Sequence, residues 1–172
     1  MAAREPLAPP PSRGDVFLIE DDPRAAELLV KVLAREGYRA LAETDPARAL
    51  ERDLPFVPEV VLLDAALPGL SGIDLARALK QGFKSRPIRV VLLAARAEGG
   101  MMERAARAGA DDYLTKPIKR RELTERLDRQ VRALRAERAL EKIRAILAAR
   151  GPKPPERLDA ILEALKGLRL IP

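Results

Sequence analysis

Four short apolar runs, separated by stretches of helical periodicity, constrain the fold of this chain more than any other feature. Alternation of this kind predicts a doubly wound parallel sheet, in which the carboxyl ends of the strands share one edge. Three of the runs end in charged side chains and the fourth, residues 90–94, ends in Ala94. We expect the charged residues to converge at that edge; they are Glu20, Asp21, Asp64 and Lys116.

The spacing of apolar and turn residues predicts the individual elements. The expected strands cover residues 15–20, 38–42, 60–63, 88–93 and 112–115. The expected helices run from Pro23 to Gly37, through 46–50 behind a Thr44-Asp45-Pro46 cap, from Ser71 to Leu79, and over 101–108. Together these units predict an α/β fold built on a five-stranded parallel sheet.

Missing residue types exclude several kinds of chemistry. The 172 residues include no cysteine and no histidine, which excludes disulfides, thiolate zinc sites, a Ser-His triad and an internal phosphohistidine. Any phosphoryl donor would therefore be another molecule. Residues 1–14 carry four prolines and no apolar run long enough for a signal peptide or membrane span, so we expect a disordered tail and a cytoplasmic protein.

Three motifs, in this order and spacing, resemble the receiver domain of two-component response regulators. They are Glu20–Pro23, Leu62–Gly69 and Gly109–Pro117, and the likeness covers residues 15–134. The resemblance implies a flavodoxin-like fold. It also implies a receiver that takes a phosphoryl group from a histidine kinase or phosphotransfer protein in a phosphorelay and signals by protein contacts. Such a protein is not an enzyme beyond Mg²⁺-dependent self-phosphorylation from a donor and slow autodephosphorylation.

By the same resemblance, particular residues take particular roles. Asp64 is the phosphoacceptor, and Lys116 contacts the phosphoryl group. Asp21 and Asp64 are direct magnesium ligands, Glu20 acts mainly through water, and the backbone carbonyl of Ala66 is the backbone ligand. Independently of the family, a carboxylate attacks a phosphoryl group poorly because both are anionic, so a cation such as Mg²⁺ with oxygen ligands is needed. Lys116 can pair with Asp64 when no phosphoryl group is present.

Three positions leave alternatives open. Asp22 precedes Pro23 and suits a helix cap at least as well as a metal contact. Tyr113 is either the switch aromatic of the family or a core residue. Ala94 replaces the usual Ser or Thr, and its methyl group cannot donate a hydrogen bond to a phosphoryl oxygen. We therefore expect phosphorylation with weaker coupling to the surface, and Arg96 could alter the lifetime of the phosphoryl group.

A helical extension over residues 135–172 follows the receiver. A helix from Lys119 to Arg150 is expected to continue past the domain, break at 151–155, and be followed by an amphipathic helix from Leu158 to Leu168 that folds back or pairs across a dimer. From Lys119 onward the chain carries 15 basic and 8 acidic residues, net +7, against 17 and 18, net −1, before it. The spacing of these charges suits intrahelical pairs.

Other functions remain as alternatives. A degenerate receiver would act as a phosphorylation-independent interaction or dimerisation module, and a homodimer through the C-terminal helices is left open. We rank lower a DNA-binding regulator acting through the basic helices, and disfavour nucleic acid as a partner because no helix-turn-helix fits. A dehalogenase-like phosphohydrolase ranks low because it needs an Asp where Ala66 stands. The downstream protein stays unknown.

Overall fold

A computed structural model of the chain describes residues 12–69, 71–83, 87–95, 100–148 and 154–167. It contains five strands in one sheet. They are β1 (Asp15–Ile19), β2 (Arg39–Glu43), β3 (Val60–Asp64), β4 (Arg89–Ala94) and β5 (Asp112–Thr115). The strand predictions are therefore confirmed to within one residue at each end.

Five helices lie among the described residues. They are α1 (Pro23–Arg35), α2 (Gly72–Gly82), α3 (Met101–Arg107), α4 (Arg120–Ala148) and α5 (Pro154–Lys166). Asp22 caps α1, because its side chain accepts the Arg24 N–H at 2.9 Å, and Pro23 opens the helix where no N–H is needed. None of the described helices is long and apolar enough to cross a membrane.

All strand pairs are parallel, and their order is β2-β1-β3-β4-β5. This is the flavodoxin-like order. The chain adds β2 on one side of β1 and the later strands on the other side, so the switch in strand order lies between β1 and β3. Ile19 lies beside Leu63 at that point, which brings Glu20 and Asp64 to the same edge. The flavodoxin-like fold predicted from the sequence is confirmed.

The core fills both faces of the sheet with aliphatic side chains. One face packs against α1 and α4 through residues such as Leu18, Leu33, Leu62 and Leu127. The other packs against α2 and α3 through Phe17, Ile19, Leu63, Leu75 and Leu79 among others. The strands β1, β3 and β4 are buried on both faces and therefore read as continuous apolar runs, whereas the edge strand β5 is only partly buried.

The helix expected at residues 46–50 is wrong. The segment forms successive turns, in which the Asp45 side chain accepts the Ala47 N–H at 3.0 Å and the Pro46 carbonyl accepts the Ala49 N–H at 3.3 Å. Pro55 and Pro58 follow closely, and the residue before a proline is disfavoured in helical conformation. Too few residues therefore remain between the cap and the prolines for a helix to be stable.

The C-terminal helices form an antiparallel hairpin. The helix α4 has 29 residues, and its buried side chains run from Leu123 to Leu134, with Ala139 buried further on before the helix ends at Ala148. The part of α4 beyond Leu134 lines a groove together with Glu163 and Ala164, which lie near the C-terminal end of α5. Pro154 and Pro155, which the sequence placed in a helix break at 151–155, already belong to α5, and the rest of that expected break lies outside the described residues. Residues 1–11, 149–153 and 168–172 lie outside the described residues. These ranges include most of the predicted tail and Leu168, the last residue of the predicted amphipathic helix.

Candidate phosphoryl and metal site

Three carboxylates meet at the carboxyl edge of β1 and β3. Oxygen atoms of Glu20, Asp21 and Asp64 all lie within 4.8 Å of one another. Glu20 and Asp64 are buried and Asp21 is half-buried, so the cluster opens to solvent on one side. Mg²⁺ takes oxygen ligands and keeps several waters, and an open group of carboxylates fits those requirements.

Lys116 reaches into this cluster from the loop after β5. Its Nζ donates to Asp64 Oδ2 at 2.5 Å and to Glu20 Oε2 at 2.8 Å. The Lys116 N–H donates to the Ala94 carbonyl at 2.7 Å, which ties the loop to the end of β4, and the bond between Lys116 and Pro117 is cis. One ammonium group thus faces three carboxylates, an excess of negative charge at this edge.

Burial shifts the protonation of this cluster. Burial raises the pKa of Glu20 and the charge of Asp64 adds to the shift, whereas the hydrogen bond from Lys116 opposes it. Burial also acts to lower the pKa of Lys116, but the hydrogen bonds to Asp64 and Glu20 outweigh it and the pKa is raised. Lys116 is therefore a cation at neutral pH, and it relieves the repulsion between its two acidic partners.

The loop after Asp64 is held in place by backbone contacts. The Ala65 N–H donates to the Leu93 carbonyl at 2.8 Å, and the Ala66 N–H donates to Asp64 Oδ1 at 2.9 Å. A Cβ atom at Gly72 would lie 2.4 Å from the Asp64 carbonyl oxygen and 2.7 Å from the Ala65 Cα. Glycine is therefore required for α2 to start this close to the loop. The role of the Ala66 carbonyl as a metal ligand stays a prediction.

Ala94 ends β4 beside the site. It lies opposite Thr115 in the sheet and is buried, at 2% exposure. Its methyl group offers no hydrogen bond to a bound phosphoryl group, as the sequence indicated. Arg96, two residues further on, lies outside the described residues.

Tyr113 lies on the neighbouring strand, half-buried against the core. The Arg126 guanidinium stands 5.9 Å from the centre of its ring. Arg126 also binds Asp112 at 2.6 Å, so the ring lies beside a charged cluster of β5 and α4. These contacts fit a rim aromatic, and the switch role stays a prediction.

A second charged cluster, which the sequence did not indicate, lies at the opposite, amino edge of the sheet. Glu59 precedes β3 and receives two hydrogen bonds from Arg135 of α4, at 2.6 and 2.7 Å. Asp111 precedes β5 and pairs with Lys80 at 2.5 Å and Arg89 at 2.7 Å, and Arg89 also pairs with Glu137 of α4. The one sequence signal was a glutamate directly before a buried strand.

The fold and the acidic cluster together are typical of one class of protein, the receiver domains. The profile of the response regulator receiver domain family matches residues 16–128, and the chain belongs to this family. The resemblance seen in the sequence is confirmed: this is a receiver domain of the kind found in two-component systems, a class that does not consist of enzymes in the usual sense.

Among the curated relatives is the DNA-binding response regulator MtrA of Mycolicibacterium smegmatis, 35% identical over 120 residues, which are 70% of this chain and 51% of MtrA. The phosphate regulon transcriptional regulatory protein PhoB of Pseudomonas aeruginosa is 35% identical over 112 residues, 65% of this chain and 49% of PhoB. The chain thus spans about half the length of these relatives. These relatives, a DNA-binding and a transcriptional regulator, do not support the expectation that nucleic acid is an improbable partner.

A solved structure agrees in fold and was determined with a bound magnesium complex. The response regulator TrrA of Thermotoga maritima, in complex with Mg²⁺ and BeF, superposes with a TM-score of 0.59 at 26% identity, covering 68% of this chain and 98% of TrrA. Receiver domains bind Mg²⁺ at an acidic site. The cluster of Glu20, Asp21 and Asp64 is consistent with that property.

Proposed function

We propose that this protein is a cytoplasmic phosphorelay receiver that accepts a phosphoryl group on Asp64 and passes the signal on by protein contacts. One observation carries the proposal: the buried Asp64 carboxylate lies between an open acidic cluster and the ammonium group of Lys116. Because the chain contains no histidine, its donor would be a partner's phosphohistidine or a small acyl phosphate. The receiver would span residues 15–134, with 135–172 as its extension.

In the transfer, an Asp64 carboxylate oxygen attacks the phosphorus atom, and the bond to the donor breaks with its electron pair leaving on the donor. Glu20, Asp21, Asp64 and the Ala66 carbonyl would hold Mg²⁺. The ion supplies neutralising charge for the phosphoryl oxygens. Lys116 moves its hydrogen bond from Asp64 to a phosphoryl oxygen, which keeps an ammonium next to the new negative charge.

Ala94 weakens the link between modification and response. A hydroxyl at this position would make a hydrogen bond to the charged phosphoryl group worth about 1.5 to 3 kcal/mol. The methyl group leaves attack by Asp64 unobstructed, so phosphoryl transfer is retained while the loop after β4 is held less strongly in the modified state. This same residue favours the second candidate, a receiver whose interaction surface works without phosphorylation.

Two partners complete the proposal. A homodimer through the C-terminal helices would carry the output, with a readout face formed by α3, the strand at Tyr113 and the start of α4. DNA binding is the weaker alternative, suggested by the names of the relatives and by the net charge of +7 from Lys119 onward. A gel-shift titration with duplex DNA distinguishes them, because retention that falls steeply with salt would favour nucleic acid.

Intact-mass spectrometry tests the phosphoryl transfer. The purified chain is incubated with a small acyl phosphate and Mg²⁺, and we expect a gain of about 80 Da, one phosphoryl group. Asp64→Asn should show no gain, whereas Asp74→Asn, which changes an exposed carboxylate of α2, should gain the same mass as the unmodified chain. No gain in a folded wild-type chain would reject phosphoryl transfer in favour of the constitutive module.

A further inference from the structure

The hairpin of α4 and α5 exposes more large apolar side chains than the rest of the described molecule. Leu140 and Leu147 on α4 are 55% and 60% exposed, and Leu158 and Leu162 on α5 are 57% and 38% exposed. Elsewhere in the described residues, only Leu28 and Leu50 are exposed large hydrophobics, and each stands singly. Single exposed leucines are ordinary on a protein surface, but a group of four on one small unit marks a contact surface.

Helix geometry places the four leucines on one side of the hairpin. The buried Ala139 and Ala164 line the groove between the two helices and mark the facing sides. At 3.6 residues per turn, Leu140 and Leu147 lie about 80° to 100° onward from Ala139 around α4, and Leu158 and Leu162 about 120° to 160° onward from Ala164 around α5. Rotations of the same sense on antiparallel helices point to the same side, so Leu140, Leu147 and Leu158 share one face and Leu162 lies at its outer edge. We call this surface the leucine face.

The spacing on each helix suits helical packing. Leu140 and Leu147 are seven residues apart, and Leu158 and Leu162 are four apart, the repeat by which side chains of one helix fit between those of another. A face formed by two antiparallel helices can pack on a copy of itself, because a two-fold axis requires only that the same patch be self-complementary. The product would be a four-helix bundle.

Charge favours one way of pairing the copies. Residues 135–148 of α4 carry four basic and two acidic residues, net +2, whereas α5 carries two basic and three acidic residues, net −1. Placing α4 of one chain across α5 of the other brings opposite net charges together. Placing α4 across α4 would bring two positive segments together at a cost.

We infer that the leucine face binds a second copy of this chain, with α4 of each copy lying antiparallel across α5 of its partner. This inference rests on the proposed output through the C-terminal helices, but not on phosphoryl transfer. Because the two-fold axis then runs along the bundle, Leu147 lies next to the second copy's α5 near position 158. The alternative arrangement, with α4 across α4, would bring position 140 next to position 147.

Sedimentation equilibrium of the full chain tests the partner. We expect a dimer, and Leu147→Glu should raise the dissociation constant at least about tenfold, because burying a charge in the bundle costs more than 1.4 kcal/mol. The matched control is Leu28→Glu, which changes a leucine of similar exposure on α1 and should leave dimerisation unchanged. A monomeric wild-type chain, or equal weakening by both variants, would overturn the inference.

Disulfide trapping tests the arrangement. The chain has no cysteine, so a single introduced cysteine can form only intermolecular disulfides. Oxidising a mixture of Leu147→Cys and Leu158→Cys chains should give mainly the mixed disulfide, whereas a mixture of Leu140→Cys and Leu147→Cys should not. The opposite preference would overturn the pairing of α4 with α5. Asp64→Asn is expected to dimerise normally, so a failure of phosphoryl transfer and a failure of dimerisation are read separately.

Discussion

The two edges of the sheet handle charge in opposite ways. At the amino edge, Glu59 is matched by Arg135, and Asp111 is matched by Lys80 and Arg89. At the carboxyl edge, three carboxylates share the single ammonium of Lys116, and Asp21 has no ion-pair partner among the described residues. Balanced charges hold α4 and the strands together, whereas unbalanced charges leave affinity for a cation.

This comparison teaches which edge serves stability and which serves binding. Substitutions at the amino edge should lower the free energy of unfolding of the chain and leave metal binding unchanged. The carboxyl edge should respond by losing metal binding, with little effect on the stability of the metal-free chain, except where backbone packing is itself changed.

The largest effect is expected from that exception, Gly72→Ala. The added Cβ would lie 2.4 Å from the Asp64 carbonyl oxygen, so α2 or the loop must shift, at a cost of about 3 kcal/mol in the free energy of unfolding. Urea denaturation measures it. The matched control is Gly82→Ala in the same helix, where no atom lies within 4 Å and the change should be neutral or stabilising by up to about 1 kcal/mol. Equal effects would show that the close approach is unimportant.

The next effect distinguishes the edges directly. Glu59→Gln leaves the Arg135 guanidinium without its carboxylate and should lower the free energy of unfolding by about 2 kcal/mol, less than for a fully buried pair because the Arg135 side chain is 35% exposed. The control is Glu103→Gln, which breaks an exposed pair with Arg107 and should change stability by less than about 0.5 kcal/mol. If Glu59→Gln instead abolished the response to Mg²⁺, the division of roles between the edges would be wrong.

A smaller effect is expected from Mg²⁺ itself. At ten times its dissociation constant the ion should stabilise the wild-type chain by about 1.4 kcal/mol, seen as a higher midpoint of thermal unfolding. Asp21→Asn should remove most of this stabilisation while leaving the metal-free chain within about 0.5 kcal/mol of wild type. Asp22→Asn, an adjacent change that keeps a good helix cap, should retain the full response. A loss with both variants would show that Asp22 also takes part in the cation site.

The smallest effect is a pH dependence at Asp112. Burial acts to raise the pKa of this carboxyl group, but hydrogen bonds from Arg129, the Tyr113 N–H and Gln130 outweigh it, so the pKa is lowered from its ordinary 3.8. Its contribution to stability is therefore present above pH 3.8 and lost as the pH falls through the lowered folded value. Unfolding measured between pH 6 and pH 2 should show a shallower acid loss in Asp112→Asn. An unchanged slope would assign the loss to other carboxyl groups.

The sequence predicted the parts of the molecule that follow from periodicity and topology. Apolar runs marked the strands, and parallel strands must bring Glu20 and Asp64 to one edge. The helix predicted at 46–50 was wrong although the predicted cap forms, because Asp45 accepts the Ala47 N–H as a helix cap would. The prolines further along the chain prevent the turns from continuing as a helix. The roles assigned to Asp64, Lys116 and Ala66 depend on bound partners and stay predictions.

The amino-edge pairs could not be predicted, because their members are far apart in the chain. Arg135 and Glu59 are separated by 76 residues, and nothing in the pattern of α4 distinguishes an arginine that reaches the sheet from one on a solvated face. The intrahelical pairs expected in α4 form in part, as between Glu141 and Arg144 at 3.1 Å. Glu137, expected to pair the same way, binds Arg89 of β4 instead.

The ion pair between Arg135 and Glu59 fixes α4 to the sheet near the middle of the helix. The helix begins four residues after Lys116, and Arg135 lies near its middle, with 15 residues on one side and 13 on the other. At 1.5 Å per residue the two arms measure about 22 and 20 Å. The first arm is fixed to the sheet by its buried residues, whereas the second reaches past the ion pair toward the leucine face. A rotation of about 5° of the second arm at Arg135 would therefore displace its far end by about 1.7 Å.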